Sequence, residues 1–488
     1  MRRTKIICTL GPSSAEYGIL LEIVRAGMDV ARINFSHGDP AFYHHAVGLV
    51  RRVSQELKKP VAILADLQGI KIRIGEVEQG AVELEKGSSV VVLPGEGVTT
   101  AQKLYIRYEP LLEDLKVGDD ILLDDGLIKL KVQEKFADRL HATVLEGGVL
   151  RSRKGVHFPR TNTSARTFTE KDQRDLEMAV HLGVDYVALS FVRDGEDIAR
   201  VRSWARERGF RLPPLIAKIE RKEALHAAEE IAQEADGLMV ARGDLGVEAP
   251  IEMVPVYQKM LVKLAKERGK IAIIATQMLE SMRESSSPTR AEVTDIANAV
   301  LDGADALMLS AETAIGKYPV LATQMMHTVV EATERHLASR IPSFYRPRGM
   351  LPEAIVFGAL QTACNVNARA LVVFTHSGFT ALVLSSFRPG MPILALTPEE
   401  ETARQLALVW GVLPEVLDVP EEAESITLLR RAEEILLGRK LARPGDPVVF
   451  VASSPFLGYR NLIRLHRLGE PFTEEGIPPG TPAPEPTG

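Results

Sequence analysis

Short apolar runs rich in β-branched residues alternate along this chain with stretches whose apolar positions recur at helical spacing. The runs are 5–10 (KIICTL), 29–35 (DVARINF), 61–67 (VAILADL), 184–191 (VDYVALSF), 214–220 (PLIAKIE), 237–242 (GLMVAR), 271–276 (IAIIAT) and 306–310 (ALMLS). A helical stretch follows each run, as at 15–26, 42–57, 170–182 and 196–208. Strands apolar at nearly every position are buried on both faces, which means a parallel sheet. Eight such units in about 340 residues predict a closed (β/α)8 barrel. A doubly wound open sheet is the alternative the same alternation allows.

The period changes between roughly Gly75 and Phe158. Segments such as LKVGDDILLDDGLIKLKV and LHATVLEGGVL alternate at every second residue, with Gly and Asp at the breaks. They predict a small all-β domain. It interrupts the barrel after the third strand, so the barrel takes 1–74 and 159–341 and the insert 75–158. Because its two connections meet at one place on the rim, the insert can act as a lid; a rigid decoration is the plainer alternative. A third, α/β region spans 350–471, with helices at 351–366, 399–408 and 424–438 and strands at 370–376, 392–397 and 447–452. The stretch 341–352, with Pro342, Pro347 and Pro352, reads as a linker, and the Pro/Gly-rich tail 472–488 as disordered.

Composition narrows the function. With 488 residues, 45% apolar and 25% charged, the chain can bury several cores. A net charge of −6 and no Lys/Arg run give no reason to expect nucleic acid, so attraction for an anionic ligand must come from a local basic cluster. Cys8 and Cys364 match no metal or redox spacing, and their apolar neighbours predict that both are buried. The apolar stretch before Gly11-Pro12 is too short for a signal peptide, and no run of eighteen apolar residues predicts a membrane span. The cytoplasm is the compartment these features suggest.

In a barrel, the side chains at the C-terminal strand ends surround the active site. Here the second strand ends Arg32-Ile33-Asn34-Phe35-Ser36-His37, the third at Asp66 with Lys71 and Arg73 beyond it, and the fourth at Ser190. The fifth sets Lys218 and Glu220 two apart on one side of the strand; the sixth ends Arg242-Gly243-Asp244, the seventh at Thr276, and the eighth at Ser310 and Glu312. Taken singly, Asp244 and Ser310 read as helix caps and Lys218–Glu220 as a plain ion pair. Converging on one rim, they predict a site. Glu220 and Asp244 are two hard oxygen ligands, too few to enclose a cation, which suits Mg²⁺ that keeps water and takes substrate oxygens. Arg32, Arg73, Lys218 and Arg242 supply positive charge for phosphate and carboxylate oxygens. Such a set is the apparatus of phosphoryl transfer, and the absence of Gly-x-x-x-x-Gly-Lys-Ser/Thr excludes a P-loop.

The motifs CTLGPSS, ARINFSHG, AKIE, ARGDLGVE, ATQMLESM and MLSAETAIGKYP, in that order, resemble the pyruvate kinase family over about residues 3–470. The resemblance implies transfer of a phosphoryl group from phosphoenolpyruvate to ADP, giving pyruvate and ATP, in a homotetramer. It implies that Lys218 stabilises the group in flight, that Glu220 and Asp244 hold Mg²⁺ (or Mn²⁺), and that Thr276 lies, through water, where the enolate carbon is protonated. Backbone N–H groups of Ala241, Arg242 and Gly243 would hold the substrate carboxylate, and Arg32 and Arg73 would grip the phosphate. Pro12, Asn34, His37 and Lys171, with Arg73, fall where the family contacts nucleotide; Ser310 and Glu312 support the catalytic group.

One departure is informative. Members that need K⁺ typically read Asp-Thr-Lys-Gly-Pro-Glu-Ile-Arg-Thr at the third strand, whereas residues 66–74 read Asp-Leu-Gln-Gly-Ile-Lys-Ile-Arg-Ile. Asn34, Ser36 and Asp66 remain in the monovalent-cation region, but Leu67 replaces Thr and Lys71 replaces the acid. Lys71 is therefore expected to take the place of K⁺; a solvated strand lysine is the plain alternative. The loop Thr375-His376-Ser377-Gly378-Phe379-Thr380 ends a strand and opens a helix, and is similar to the loop through which the family binds phosphorylated activators. An ordinary Ser/Thr cap is its plain reading. Two other functions fit parts of the pattern: another Mg-dependent, enolate-forming barrel enzyme, and a non-catalytic phosphometabolite-binding regulator.

Overall fold

The computed structural model describes residues 2–36, 38–159, 161, 164, 167–347, 349–418, 425–452 and 462–472. The tail expected from 472 onward falls, after that residue, outside the described residues.

The eight apolar runs form eight parallel strands: β1 (Lys5–Thr9), β2 (Val30–Asn34), β3 (Ala62–Asp66), β4 (Tyr186–Leu189), β5 (Leu215–Ile219), β6 (Gly237–Ala241), β7 (Ile271–Ala275) and β8 (Ala306–Leu309). They pair in chain order, and β8 closes on β1 with Lys5 opposite Ala306. The closed barrel excludes the doubly wound alternative. Side chains alternate as the two-residue period requires. Ile7, Leu64, Ile216 and Ile273 pack inside the barrel. Ile6, Ile63, Ala217 and Ile274 pack outward against the helical ring. The helices carry their own start signals: α1 (Glu170–His181) opens on a reciprocal cap between Thr169 and Asp172. The short helix α2 (Arg242–Glu248) begins directly off the end of β6.

The inserted β domain is a six-stranded sheet over its own core, which includes Val90, Leu104, Leu130 and Val144. Its two connections run side by side, with the Ile74 N–H donating to Lys154 O and the Val156 N–H to Ile72 O, both at 3.0 Å.

The third region carries strands β9 (Ala370–Phe374), β10 (Ile393–Thr397), β11 (Val412–Val416), β12 (Pro447–Ala452) and β13 (Leu462–Arg467) in the order β11-β10-β9-β12-β13, the last antiparallel. Two of these, β11 and β13, are absent from the strands read from sequence. Both lie at sheet edges, where VLPEV and LIRLHR mix polar and apolar positions. Helices α3 (Leu351–Asn365), α4 (Phe379–Ser386) and α5 (Glu400–Leu406) flank the sheet. One sheet face joins the barrel interior in a single core, in which Ile7, Tyr186 and Ile271 meet Leu371, Leu384 and Leu406. Cys8 is buried beside Thr323, and burial pushes its thiol up to about 12. Cys364, expected to be buried as well, is exposed. It lies on the same outward stripe of α3 as Phe357 and Gln361, so its apolar neighbours in sequence are not its neighbours in space.

The barrel floor has a repeated device. Asp29, Asp185, Asp236 and Asp305 each precede an even-numbered strand, and each accepts a backbone N–H from the neighbouring odd-numbered strand: Ile6 at 2.9 Å, Ile63 at 2.7 Å, Leu215 at 2.8 Å and Ala272 at 2.7 Å. Each aspartate also meets a cation. Arg2 pairs with Asp29 at 2.7 Å, Arg202 with Asp236 at 2.9 Å, and Lys266 with Asp305 at 2.5 Å. The third region supplies Arg404 to Asp185 and Arg388 to Asp305, each at 2.8 Å.

Candidate active site

At the opposite end, the rim encloses a cavity of about 320 Å³ lined by Arg32, Asn34, Lys218, Glu220, Asp244, Thr276 and Ser310, with Thr9 and Ala241. Lys218 is held from three sides: its Nζ stands 2.7 Å from Ser190 Oγ, 3.1 Å from Asp66 Oδ1 and 3.0 Å from Glu220 Oε1. Burial alone would lower its ammonium, but Asp66 and Glu220 reverse that and hold it above the ordinary lysine value, so it is a fixed positive charge. Asp66 is 1% exposed. Burial would raise its carboxyl, yet Lys218 and Arg32 hold it below the ordinary value. Arg32 is fixed at both ends of its fork, with Nε on Asp66 Oδ2 at 2.7 Å and Nη1 on Thr9 Oγ1 at 3.0 Å.

Glu220 accepts the Phe191 N–H at 2.7 Å and faces the same cavity as Asp244. Burial, with the repulsion of Asp244, pushes the Glu220 carboxyl up against the pull of Lys218. Among the described residues no group of three or more His, Cys, Asp or Glu side chains is placed to hold a metal. Two hard carboxylates lining one cavity nevertheless fit a divalent cation that completes its shell with water and substrate oxygens, and whose charge would relieve their repulsion. Asp244 is not the cap of α2, whose first position follows Ala241 with no side-chain cap. Ser310 stands at the N-cap position of the helix after β8 but its side chain makes no cap bond; its Oγ is buried without a partner among the described residues and belongs to the cavity wall. Glu312 is fully buried and braces the rim by accepting the N–H groups of Leu279 and Ser310.

Thr276 has φ +72, a left-handed conformation that is costly for a β-branched residue, and Gln277 follows at φ +55. Its Oγ1 accepts the Gly243 N–H at 2.9 Å. That donor, expected to face a substrate carboxylate, is thus already satisfied within the protein and would have to be released. Arg242 needs a firmer correction. Its guanidinium sits on Asp295, 2.8 and 2.7 Å from the two carboxylate oxygens, and on Thr276 O at 2.7 Å. Its charge is neutralised outside the cavity, so Arg242 braces the Thr276 turn and supplies no side-chain charge to the site.

A second cleft of about 190 Å³ lies between insert and barrel and shares Asp244 with the first; Lys71, Arg73, Phe191 and Arg221 line it. Arg73 Nη1 donates to Arg153 O at 2.9 Å, which ties it to the returning lid connection. Lys71 is exposed and makes no side-chain hydrogen bond or ion pair among the described residues. The other cation-region groups stay together: the Ser36 N–H donates to Asn34 Oδ1 at 3.0 Å, and Leu67 O accepts from Ser190 Oγ at 2.7 Å. The Leu67 side chain itself is buried. Of the nucleotide positions, Pro12 is exposed on the loop after β1, and Lys171 donates to Phe35 O at 2.7 Å while pairing with Asp175. His37 lies outside the described residues. In the third region Gly378 takes φ +78 at the start of α4, and Thr375 Oγ1 accepts its N–H at 3.0 Å. Thr375 and Thr380 are buried, so His376, Ser377 and Phe379 are the loop's outward side chains.

The sequence reading passed over or underrated four participants. Thr9 orients Arg32 from the end of β1, where a threonine in KIICT looks like ordinary strand. Ser190, noted only as a strand end, is the nearest partner of Lys218. His157 and Glu248, 3.1 Å apart, join lid to barrel across a gap in sequence that no local pattern bridges.

The family model described as pyruvate kinase, barrel domain, matches residues 1–323, and that described as pyruvate kinase, alpha/beta domain, matches 353–466. The pyruvate kinase of Mycobacterium tuberculosis is 43% identical over 471 residues, covering 96% of this chain and 99% of its own length. That of Geobacillus stearothermophilus is 41% identical over 476 residues, covering 96% and 81%. The crystal structure of a pyruvate kinase from Cryptosporidium parvum superposes with a TM-score of 0.89 at 33% identity, covering 96% of both chains. Barrel, site and relatives agree: the chain belongs to the pyruvate kinase family.

Proposed function

We propose that this chain transfers the phosphoryl group of phosphoenolpyruvate to ADP, giving pyruvate and ATP. The observation that carries the proposal is Lys218, a buried, permanently charged ammonium facing the same cavity as two carboxylates and Arg32. In the reaction the bond between phosphorus and the enol oxygen breaks, its electron pair stays on that oxygen, and a terminal oxygen of ADP bonds to phosphorus. Lys218 and Arg32 stabilise the charge on the group in transit; being held by Asp66, Ser190 and Thr9, they need no reorganisation to do so. Arg73 meets the same group from the lid side. A divalent cation held by Glu220 and Asp244 would add Lewis-acid charge to the phosphate and enolate oxygens. Thr276, fixed by its backbone and by Gly243, holds the water that delivers a proton to the enolate carbon. The test is the initial rate of pyruvate formation from phosphoenolpyruvate and ADP with Mg²⁺. Turnover is expected, and its absence with K⁺ also supplied overturns the reading in favour of a non-catalytic regulator.

Three finer readings accompany this. Activity is K⁺-independent, because Lys71 brings an uncommitted ammonium to a cleft that shares Asp244 with the active cavity. Equal kcat/KM in K⁺ and in tetramethylammonium is expected, and a tenfold K⁺ stimulation, about 1.4 kcal/mol of transition-state binding, sinks it. A phosphorylated metabolite regulates the enzyme at 375–380, supported by the left-handed Gly378 that opens α4. A panel of sugar phosphates and nucleoside monophosphates that leaves the phosphoenolpyruvate saturation curve unmoved would remove that reading. The enzyme assembles as a homotetramer, supported by exposed Ile251, Val256 and Met260 on the barrel and Phe357 and Leu465 on the third region; a monomeric mass in solution would refute it.

A further inference from the structure

The lid returns to the barrel through Val156–His157, a short strand pairing with Asp120–Leu123 of the insert, His157 opposite Leu122. His157 Nδ1 stands 3.1 Å from Glu248 Oε1, and the two side chains are 11% and 8% exposed. A carboxylate can only accept, so Nδ1 carries the hydrogen. Glu248 is the last residue of α2 and Asp244 stands one turn earlier on the same face. On the other side of His157, four residues back, the Arg153 carbonyl accepts from Arg73 Nη1 at 2.9 Å. A continuous series of short contacts therefore joins a metal-binding carboxylate to a phosphate-gripping arginine: Asp244, α2, Glu248, His157, the lid connection, Arg73.

The insert also comes close to α2 at a second place. A β-carbon on Gly126, in the turn Asp124-Asp125-Gly126, would stand 3.9 Å from Val247 Cγ1, ordinary contact distance. Asp124 and Asp125 take φ +52 and +56 in that turn and line the same cleft as Arg73 and Asp244. The Asp124 N–H donates to Gly155 O at 3.1 Å and Asp124 pairs with Lys154 at 2.7 Å, so the turn is tied to the returning connection.

We propose that His157 and Glu248 form a latch that positions the lid connection on α2, and through it sets Arg73 against Asp244. His157 is a positioning residue: it touches neither reactant. Lys218 and Arg32 hold the transferring phosphoryl group from the barrel whatever the latch does, whereas Arg73, which meets that group and the nucleotide together, is held through the lid connection. Breaking the latch therefore weakens capture and alignment of the nucleotide more than it weakens binding of phosphoenolpyruvate. This rests on the reading of Arg73 as a phosphate contact in the proposed reaction.

The experiment is steady-state kinetics of the full chain and of His157→Ala, His157→Asn, Glu248→Ala and the double variant His157→Ala/Glu248→Ala. Loss of one hydrogen bond to a buried carboxylate predicts a rise of about tenfold in the ADP KM of His157→Ala, with the phosphoenolpyruvate KM within about twofold. Asparagine can donate to Glu248, so His157→Asn should recover most of the loss. The double variant should be no worse than either single one. Hydrogen exchange at the Ile74 and Val156 amides, whose bonds zip the two connections, should quicken in His157→Ala. A general loss of stability would lower kcat through the active fraction and leave the ADP KM alone. The latch is overturned if His157→Ala keeps the parental ADP KM, if asparagine gives no rescue, or if the two single effects simply add. Should His157→Ala fail to fold, Glu248→Ala carries the same expectations. An inactive parent enzyme would instead strike at the proposed reaction, so the two failures are separable.

Discussion

The two ends of the barrel carry comparable numbers of charged groups and use them in opposite ways. On the floor, buried Asp29, Asp185 and Asp305 each hold a strand N–H and face arginine or lysine, so every one of these carboxylates is answered within the protein, although Arg388 keeps a buried Nη1 without a hydrogen-bond partner among the described residues. On the rim, Lys218 meets two carboxylates, Glu220 and Asp244 repel each other, and Ser310 keeps a buried hydroxyl without a partner among the described residues. The floor carboxylates are matched by cations; the rim leaves two carboxylates in mutual repulsion, as a site awaiting the proposed substrate and metal would. The same strands serve both ends, which shows that site and scaffold differ in how far their polar groups are satisfied rather than in which residues they use.

The contrast can be broken from either end. The largest expected effect is on the rim: Lys218→Met should lower kcat by about 10³-fold or more, because it removes the charge aimed at the transferring group. Thermal stability should also fall, because Asp66 keeps Arg32 but Glu220 loses its buried cation, so kcat per folded molecule is the readout. A variant retaining a tenth of parental kcat would mean that Lys218 is structural.

Next comes the floor. Asp305→Ala strands Lys266 and Arg388 in the interior and should cost about 3–5 kcal/mol, read as a lower midpoint in urea. Here kcat per folded molecule should barely change; a collapse of kcat with stability intact would erase the distinction between the two ends.

The smallest effect is a pH dependence. Burial would raise the Asp29 carboxyl, but Arg2, Lys59 and Lys5 outweigh it and hold it far below the ordinary value. A depressed carboxyl contributes stability that is present above its unfolded pKa of about 4 and is lost as pH falls toward its folded one. Asp29→Asn should therefore flatten the stability curve between about pH 4 and pH 2, where the parent declines. An unchanged acid limb would show that Asp29 is not the group responsible.

Much of this was legible in the chain, and the reasons are uneven. Lys218, Glu220, Asp244 and Thr276 stand out because each ends a run that is otherwise apolar. The floor aspartates have an equally plain signal, Asp immediately before β2, β4, β6 and β8, yet a reading directed at C-terminal strand ends passes over them. Arg242 was misjudged because sequence places a residue at the rim without saying which way a long side chain turns; Asp295, on helix Arg290–Leu301, decides that. Cys364 was misjudged because a nearly uniform apolar helix such as α3 has too little polar contrast to mark its outer face. Thr9 and the pair His157–Glu248 depend on contacts between distant segments, which no local window contains.

The way each domain's core closes has a consequence for modularity. The lid encloses its own apolar interior and leaves the barrel through two adjacent, hydrogen-bonded connections. It is a cassette: a short turn across those connections would remove it and uncover only the cleft face around Asp244 and Glu248, leaving the barrel core closed. The third region is not detachable in that sense. Its sheet shares one interior with the inside of the barrel, and its arginines terminate the floor. Truncation before α3 would leave an apolar, anionic opening at the base of the catalytic barrel. In this chain the insert is thus the separable unit, while the C-terminal region and the barrel it closes form one folding body.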